Sequence, residues 1–218
     1  MKGFVFDAYG TLFDINSVVE ACKHITQDPE GFSKLWRAKQ LEYTFLRSLM
    51  EKYKGFWEVT EDALIFAINS FGINAFQIER KKLIETYLYL KPFVEVEDAL
   101  EHLKNHELAV LSNGSPMMLN TLLENNGLKH YFRHILSADE VRTYKPSPKV
   151  YALVPKYLGI PKEEIFFVSS NSFDVVGAKA FGFKVCWINR SGTQLDELGM
   201  KPDVIAKTLE GMIGALGL

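Results

Sequence analysis

Asp7 ends a short apolar run, residues 2–7 (KGFVFD), directly before a glycine-bearing turn, Ala8-Tyr9-Gly10-Thr11-Leu12. A carboxylate at the carboxyl end of a strand, facing the backbone amides of the turn that follows, can serve as a nucleophile. The same residue also fits a plainer part, capping the loop after a strand. Three other apolar runs end in polar groups of complementary kinds. Ser112-Asn113-Gly114-Ser115 follows residues 107–111 (ELAVL), and Lys145 lies in Tyr144-Lys145-Pro146 beyond residues 134–137 (HILS). Ser169-Ser170-Asn171-Ser172-Phe173-Asp174 follows residues 165–168 (IFFV). Each has an ordinary explanation alone, as a turn, a solvated lysine or a helix start. Two acids, a cation and two hydroxyl–amide pairs delivered to one edge make an active-site pattern instead.

That delivery requires the runs to be parallel strands of one sheet. A fifth run, residues 184–188 (KVCWI), shares their character. Between the runs, residues 116–126, 148–158 and 174–181 read as helices, each ending at a glycine (Gly127, Gly159, Gly182) where a left-handed cap is needed. Strands alternating with helices imply parallel βαβ units. Residues 16–91 break the alternation. In residues 32–50, Leu35, Ala38, Leu41, Phe45 and Leu49 recur at intervals of three and four, and residues 60–71 and 79–90 show similar periodicity. The predicted fold class is therefore α/β, a Rossmann-like parallel sheet core flanked by helices. The core takes residues 1–14 and 93–218, with the sheet resuming near Val94, and a helical cap subdomain, residues 15–92, is inserted after the first strand. A cap there covers the strand's carboxyl end, where open α/β sheets bind ligands.

Composition narrows the partner. The 218 residues carry a formal net charge of −2, which gives no bias toward nucleic acid or an anionic membrane and points to a small molecule. Cys22 and Cys186 lie far apart in no metal-binding spacing, as in a reducing compartment, and read as buried apolar fillers. The first strand starts at Lys2, leaving no room for a signal peptide, and no apolar run approaches the roughly eighteen residues of a membrane span. A cytoplasmic protein is expected.

DAYGTL, SNGS, YKPS and SSNSFD, in that order, resemble the four signature loops of the haloacid dehalogenase superfamily. That superfamily contains many phosphatases, and two physical tests separate the branches. Its phosphatases carry a second aspartate two residues after the nucleophile, because an alkoxide leaving phosphorus needs a proton. Here that position is Tyr9, whereas halide leaves carbon without protonation. They also hold magnesium on acidic residues of the fourth loop, a Gly-Asp pair and a further Asp. Here the pair is Ser169-Ser170, and only Asp174 remains acidic. Residues 35–50 (LWRAKQLEYTFLRSLM) are similar to the cap helix of bacterial L-2-haloacid dehalogenases, in which an arginine reaches the site, and Arg37 is the matching position. A surface arginine on a solvated face is the plainer reading, and fits Arg47 better.

The resemblance implies hydrolytic dehalogenation of short L-2-haloacids with no cofactor and no metal. It assigns Asp7 to attack on C2 with inversion, Arg37 to receive halide, Lys145 to keep Asp7 ionised and Thr11 to hold one Asp7 oxygen. Asp174, helped by Asn171 and Ser169, is given the hydrolytic water. Substrate contacts fall to Ala8, Tyr9, Ser112, Asn113 and Tyr151, with Tyr9, Leu41, Phe56 and Phe173 as an alkyl wall. The implied partner is the small-molecule 2-haloacid, and the implied assembly a homodimer through helical surfaces. Two positions depart from the family: Phe173 stands where tryptophan is common, and Ala38 replaces a larger polar residue after Arg37. Both are expected to widen or reshape the pocket. The competing readings are a magnesium-dependent phosphatase of the same fold and a non-catalytic binder of organic acids.

Overall fold

Burial shows why the apolar runs become strands. Gly3–Phe6 (β1) is buried at every position, and Glu107–Ser112 (β2) at all but the first. Such runs suit strands covered on both faces. His134–Ser137 (β3), Ile165–Ser169 (β4) and Lys184–Ile188 (β5) follow, and a sixth strand, Val204–Ala206 (β6), lies beyond those predicted. The computed structural model describes residues 2–74 and 76–218, apart from the side chains of residues 77 and 78. It places the six strands in one parallel sheet, order β3-β2-β1-β4-β5-β6. Phe6 is in register with Val110 on one side and Val168 on the other, so Asp7, Leu111 and Ser169 emerge at one level. The order turns about β1, which puts the ligand-binding crevice of such sheets beside Asp7.

Four helices separate β1 from β2 in this inserted cap: Ser17–Cys22 (α1), Pro29–Leu49 (α2), Phe56–Ser70 (α3) and Gln77–Glu85 (α4). Proline at the first helical position and Asp28, which accepts from the Gly31 N–H at 2.9 Å, start α2. Its buried face differs from the one predicted. Phe32, Trp36, Gln40 and Thr44 are buried against α3, while Leu35, Leu41 and Phe45 are half-buried and Leu49 is 82% exposed. Two polar residues on the buried face, Gln40 and Thr44, disguised it. The chain leaves and re-enters the core side by side: the Asp14 N–H donates to the Lys91 carbonyl (2.8 Å) and the Phe93 N–H to the Leu12 carbonyl (3.0 Å).

Helices Val96–Leu103 (α5), Pro116–Asn125 (α6), Pro148–Tyr151 (α7), Leu153–Leu158 (α8), Ser172–Phe181 (α9) and Leu209–Ala215 (α10) flank the sheet. Three expectations change. Val94 is fully exposed and the core resumes as α5, whose Val96, Ala99, Leu100 and Leu103 form a buried helical stripe. Residues 148–158 make two helices, because Pro155 has no N–H for the Tyr151 carbonyl. The helix expected over 79–90 stops at Glu85 and tightens into a turn at Thr86–Leu88, where the Thr86 hydroxyl donates to the Leu83 carbonyl. Gly127, Gly159 and Gly182 adopt the left-handed conformation expected of them, with φ of 69°, 66° and 111°. Both cysteines are free and buried, and burial pushes their thiols up to about 11 for Cys22 and about 12 for Cys186. Among the described residues no helix is long and apolar enough to cross a membrane.

Candidate active site

Asp7 lies one residue past β1, its N–H still donating to the Val168 carbonyl at 2.9 Å. Its side chain is nearly buried, and each oxygen is held. Oδ2 accepts from the Thr11 hydroxyl at 3.1 Å and from Asn171 Nδ2 at 2.7 Å, while Oδ1 accepts from Lys145 Nζ at 3.1 Å. These holders are themselves fixed. Thr11 Oγ1 accepts from the Ser170 N–H (2.9 Å), and Asn171 donates also to the Tyr9 carbonyl (3.0 Å). The Asn171 N–H is turned inward by Ser169 Oγ (3.1 Å), and the Lys145 N–H donates to Asn113 Oδ1 (2.9 Å). Loops from four neighbouring strands thus lock one carboxylate, as adjacency in a parallel sheet allows.

Lys145 Nζ also donates to Asp174 Oδ2 at 2.9 Å, and the Tyr151 hydroxyl to Asp174 Oδ1 at 2.8 Å. Burial alone opposes the ammonium, but Asp174 and Asp7 overcome it and hold the Lys145 pKa above its usual value. Burial pushes the Asp174 carboxyl up to about 6, against Lys145 and with Asp7 adding to the rise. The two shifts pull oppositely on one ion pair. Two carboxylates share one ammonium, leaving an excess negative charge, so the proton stays on Lys145 and Asp174 is the buried acid that takes one up as pH falls. Gly177 makes the contact possible: a Cβ there would meet the Tyr151 hydroxyl at 2.6 Å and Pro146 Cβ at 2.5 Å.

This trio does not fit a magnesium centre. Lys145 already bridges the two carboxylates, and residues 169–170 supply hydroxyls in place of the acidic ligand a hard cation needs. Among the described residues no group of three His, Cys, Asp or Glu side chains is arranged to hold a metal.

Tyr9 is buried, stacked on Phe56 (5.8 Å between centroids) and edge-on to Tyr87 (5.9 Å). Burial, then Tyr87, raises its hydroxyl pKa; the charges of Arg37 and Asp7 act on it in opposite senses, so it lies within electrostatic reach of both. Among the described residues its hydroxyl has no hydrogen-bond partner. Ser112 ends β2 and Asn113 follows it, both buried, with Ser112 Oγ accepting from the Gly114 N–H at 3.2 Å. Ala8 is buried in the same turn as Tyr9, its carbonyl accepting from Leu12 and Phe13.

Arg37 and the expected alkyl wall are less unified. Arg37 Nη1 donates to Gln40 Oε1 at 2.6 Å. With Leu41 and Tyr87 it lines a cavity of about 650 Å³ that also touches Ile15, Val19 and Ala38. Phe173 instead lines a second cavity of about 510 Å³ with Phe45, Ser48, Lys145 and Pro146, its ring 5.3 Å from that of Phe45. Tyr9 and Phe56 are buried and line neither. The half-buried stripe of α2 therefore lines both cavities, Arg37 and Leu41 one and Phe45 and Ser48 the other, at the three- and four-residue spacing of one helix face. Gln40, Tyr87, Tyr144 and Gly177 were not anticipated. Tyr144 was adjacent to a named lysine, and Tyr87 lay in a helical apolar pattern; nothing local marked Gln40 or Gly177.

A fold of this kind is found in known proteins. The family model of haloacid dehalogenase-like hydrolases matches residues 1–182. The chain is 45% identical to the (S)-2-haloacid dehalogenase of Pseudomonas sp. (strain YL), over 98% of this chain and 93% of that protein. It is 44% identical to haloacetate dehalogenase H-2 of Moraxella sp. (strain B), over 98% and 96%. The solved L-2-haloacid dehalogenase of Xanthobacter autotrophicus with chloropropionic acid covalently bound superposes with a TM-score of 0.94, at 36% identity, over 100% of this chain and 98% of that one. The chain belongs to the haloacid dehalogenase-like hydrolases and, within them, to the L-2-haloacid dehalogenase family.

Proposed function

We propose that the protein hydrolyses short L-2-haloalkanoic acids to D-2-hydroxy acids and halide through an ester on Asp7. The observation that carries this reading is the setting of Asp7. The carboxylate is held by Thr11, Asn171 and Lys145, and the position two residues on is Tyr9, whose raised pKa keeps its proton from a leaving group. Chemistry at Asp7 therefore suits a leaving group that needs no proton.

In the first step an Asp7 oxygen attacks C2 from the side opposite the halogen. The carbon–halogen bond breaks with its electron pair going to halide, which Arg37 receives. A guanidinium suits this role, staying cationic and weakly hydrated at working pH. Ser112, Asn113 and the amides of the Ala8–Tyr9 turn hold the substrate carboxylate. In the second step water adds to the Asp7 carbonyl carbon, Asp174 taking its proton with Ser169 and Asn171 orienting the site. The bond from that carbon to the substrate oxygen breaks, the hydroxy acid leaves with a proton, and Asp7 returns as a carboxylate. One displacement at C2 means one inversion. Lys145 balances Asp7 throughout, and Tyr151 holds Asp174.

The domain division we propose is residues 1–14 and 93–218 for the core and 15–92 for the cap, supported by the paired crossings at Leu12–Asp14 and Lys91–Phe93. A homodimer is proposed on the family resemblance and on Leu46, Leu49 and Met50, exposed together near the end of α2. A reducing, cytoplasmic setting is supported by two free buried thiols.

The test is halide release from L- and D-2-chloropropionate with EDTA present, beside p-nitrophenyl phosphate with magnesium. Release from the L form alone despite chelation supports the reading; phosphate hydrolysis without halide release overturns it.

A further inference from the structure

Gln40 is a polar residue on the buried face of α2, with no exposed surface, and its hydrogen bonds run in one direction only. The Thr60 hydroxyl donates to the Phe56 carbonyl at 2.7 Å, which can only accept. Thr60 Oγ1 must then accept from Gln40 Nε2, at 2.6 Å, which turns Gln40 Oε1 to the guanidinium of Arg37, also at 2.6 Å. Arg37 can only donate, so the amide has one possible orientation. A buried Gln–Thr pair thereby fixes a half-buried cation in the lining of the 650 Å³ cavity and ties it to the backbone carbonyl of Phe56, whose ring is stacked on Tyr9. Tyr87 lines the same cavity.

We propose that Gln40 is a positioning residue for the reaction, setting through Thr60 where the Arg37 guanidinium stands when halide departs. The proposal rests on the reading of Arg37 as the halide-receiving group. The amide has a particular merit here: it orients the guanidinium without neutralising it, leaving the positive charge for halide. A carboxylate of the same shape would orient Arg37 equally well and compete with halide for it.

The experiment is single-turnover halide release from L-2-chloropropionate and L-2-bromopropionate by Gln40→Glu, Thr60→Val, Thr60→Ser and Arg37→Ala, with thermal melting of each. Gln40→Glu is expected to melt near the parent temperature and to lose roughly 10-fold or more in the chloride reaction, the scale of one hydrogen bond to a charged group. The bromide reaction should lose less, because bromide leaves with less help. Thr60→Val should share that halide-dependent loss, and Thr60→Ser, which keeps the hydroxyl, should restore the parent rate. Equal losses for both halides, or rates within about two-fold of the parent on the scale of that bond, overturn the proposal. Should Gln40→Glu fail to fold, the Thr60 pair decides alone: equal behaviour of Val and Ser overturns it. An unchanged rate in Arg37→Ala would instead overturn the role of Arg37.

Discussion

The ammonium of Lys145 lies 2.9 Å from Oδ2 of Asp174, with both side chains 1% exposed. A salt bridge so deeply buried is retained only where each charge is satisfied, and Lys145 meets this by reaching Asp7 too. The bridge joins the candidate nucleophile to the candidate water-orienting acid. Removing the ammonium leaves two carboxylates facing each other in the interior.

Lys145→Met should accordingly cost about 3–5 kcal/mol of stability at neutral pH, the scale for breaking a buried pair by removing one partner. Urea denaturation measures it, and a loss below about 1 kcal/mol, the value of a surface pair, would contradict the buried arrangement.

The pH dependence follows from Asp174. Its folded pKa is raised, to about 6, so it is ionised above that pH and neutral below. A neutral Asp174 cannot take a proton from water, so turnover should fall as pH drops through about 6 and level off above it. Tyr151 donates to the ionised form and restrains the rise. Tyr151→Phe should therefore move the acidic limb to higher pH. A limb that stays in place would show that Asp174 does not govern it.

Gly177→Ala tests the same contact through the backbone. The added methyl meets the Tyr151 hydroxyl, on a fully buried ring with no room to retreat, and the Pro146 ring. Overpacking of this kind costs about 1–3 kcal/mol, and it should lower the melting temperature while shifting the acidic limb as Tyr151→Phe does. A stable variant with the parent pH profile would contradict the packing described.

Arg37→Ala should slow halide release by a factor on the order of 10², as expected for losing one group that stabilises developing charge. Rapid-quench measurement of the first turnover reads it directly. A change of only a few-fold would remove Arg37 from the chemistry.

The sheet and its loops were legible because both are local. Five strands were read to within one or two residues of their ends, since parallel strands buried on both faces are continuous apolar runs. Polar residues after neighbouring strands then meet at one edge, which is why Asp7, Thr11, Lys145, Asn171 and Asp174 could be grouped from spacing and resemblance. The sixth strand, Val204–Ala206, was too short and too exposed to announce itself. The cap was harder. Its stripe of Leu35, Ala38, Leu41, Phe45 and Leu49 has helical spacing, yet the buried face is Phe32, Trp36, Gln40 and Thr44, because the polar pair finds partners on or within the cap helices. Hydrogen bonding between α2 and α3 is a tertiary fact, and no window along the chain contains it. For the same reason Leu41 and Phe173, expected on one wall, line separate cavities.

The central claim is that Asp7, and not water, attacks the carbon that carries the halogen. A single turnover of L-2-chloropropionate by excess enzyme, in water enriched in oxygen-18, tests it most directly. The account predicts label in the peptide containing Asp7 and an unlabelled hydroxyl in the first product, because water enters at the Asp7 ester. Label in the product hydroxyl, with the Asp7 peptide unlabelled, would contradict it.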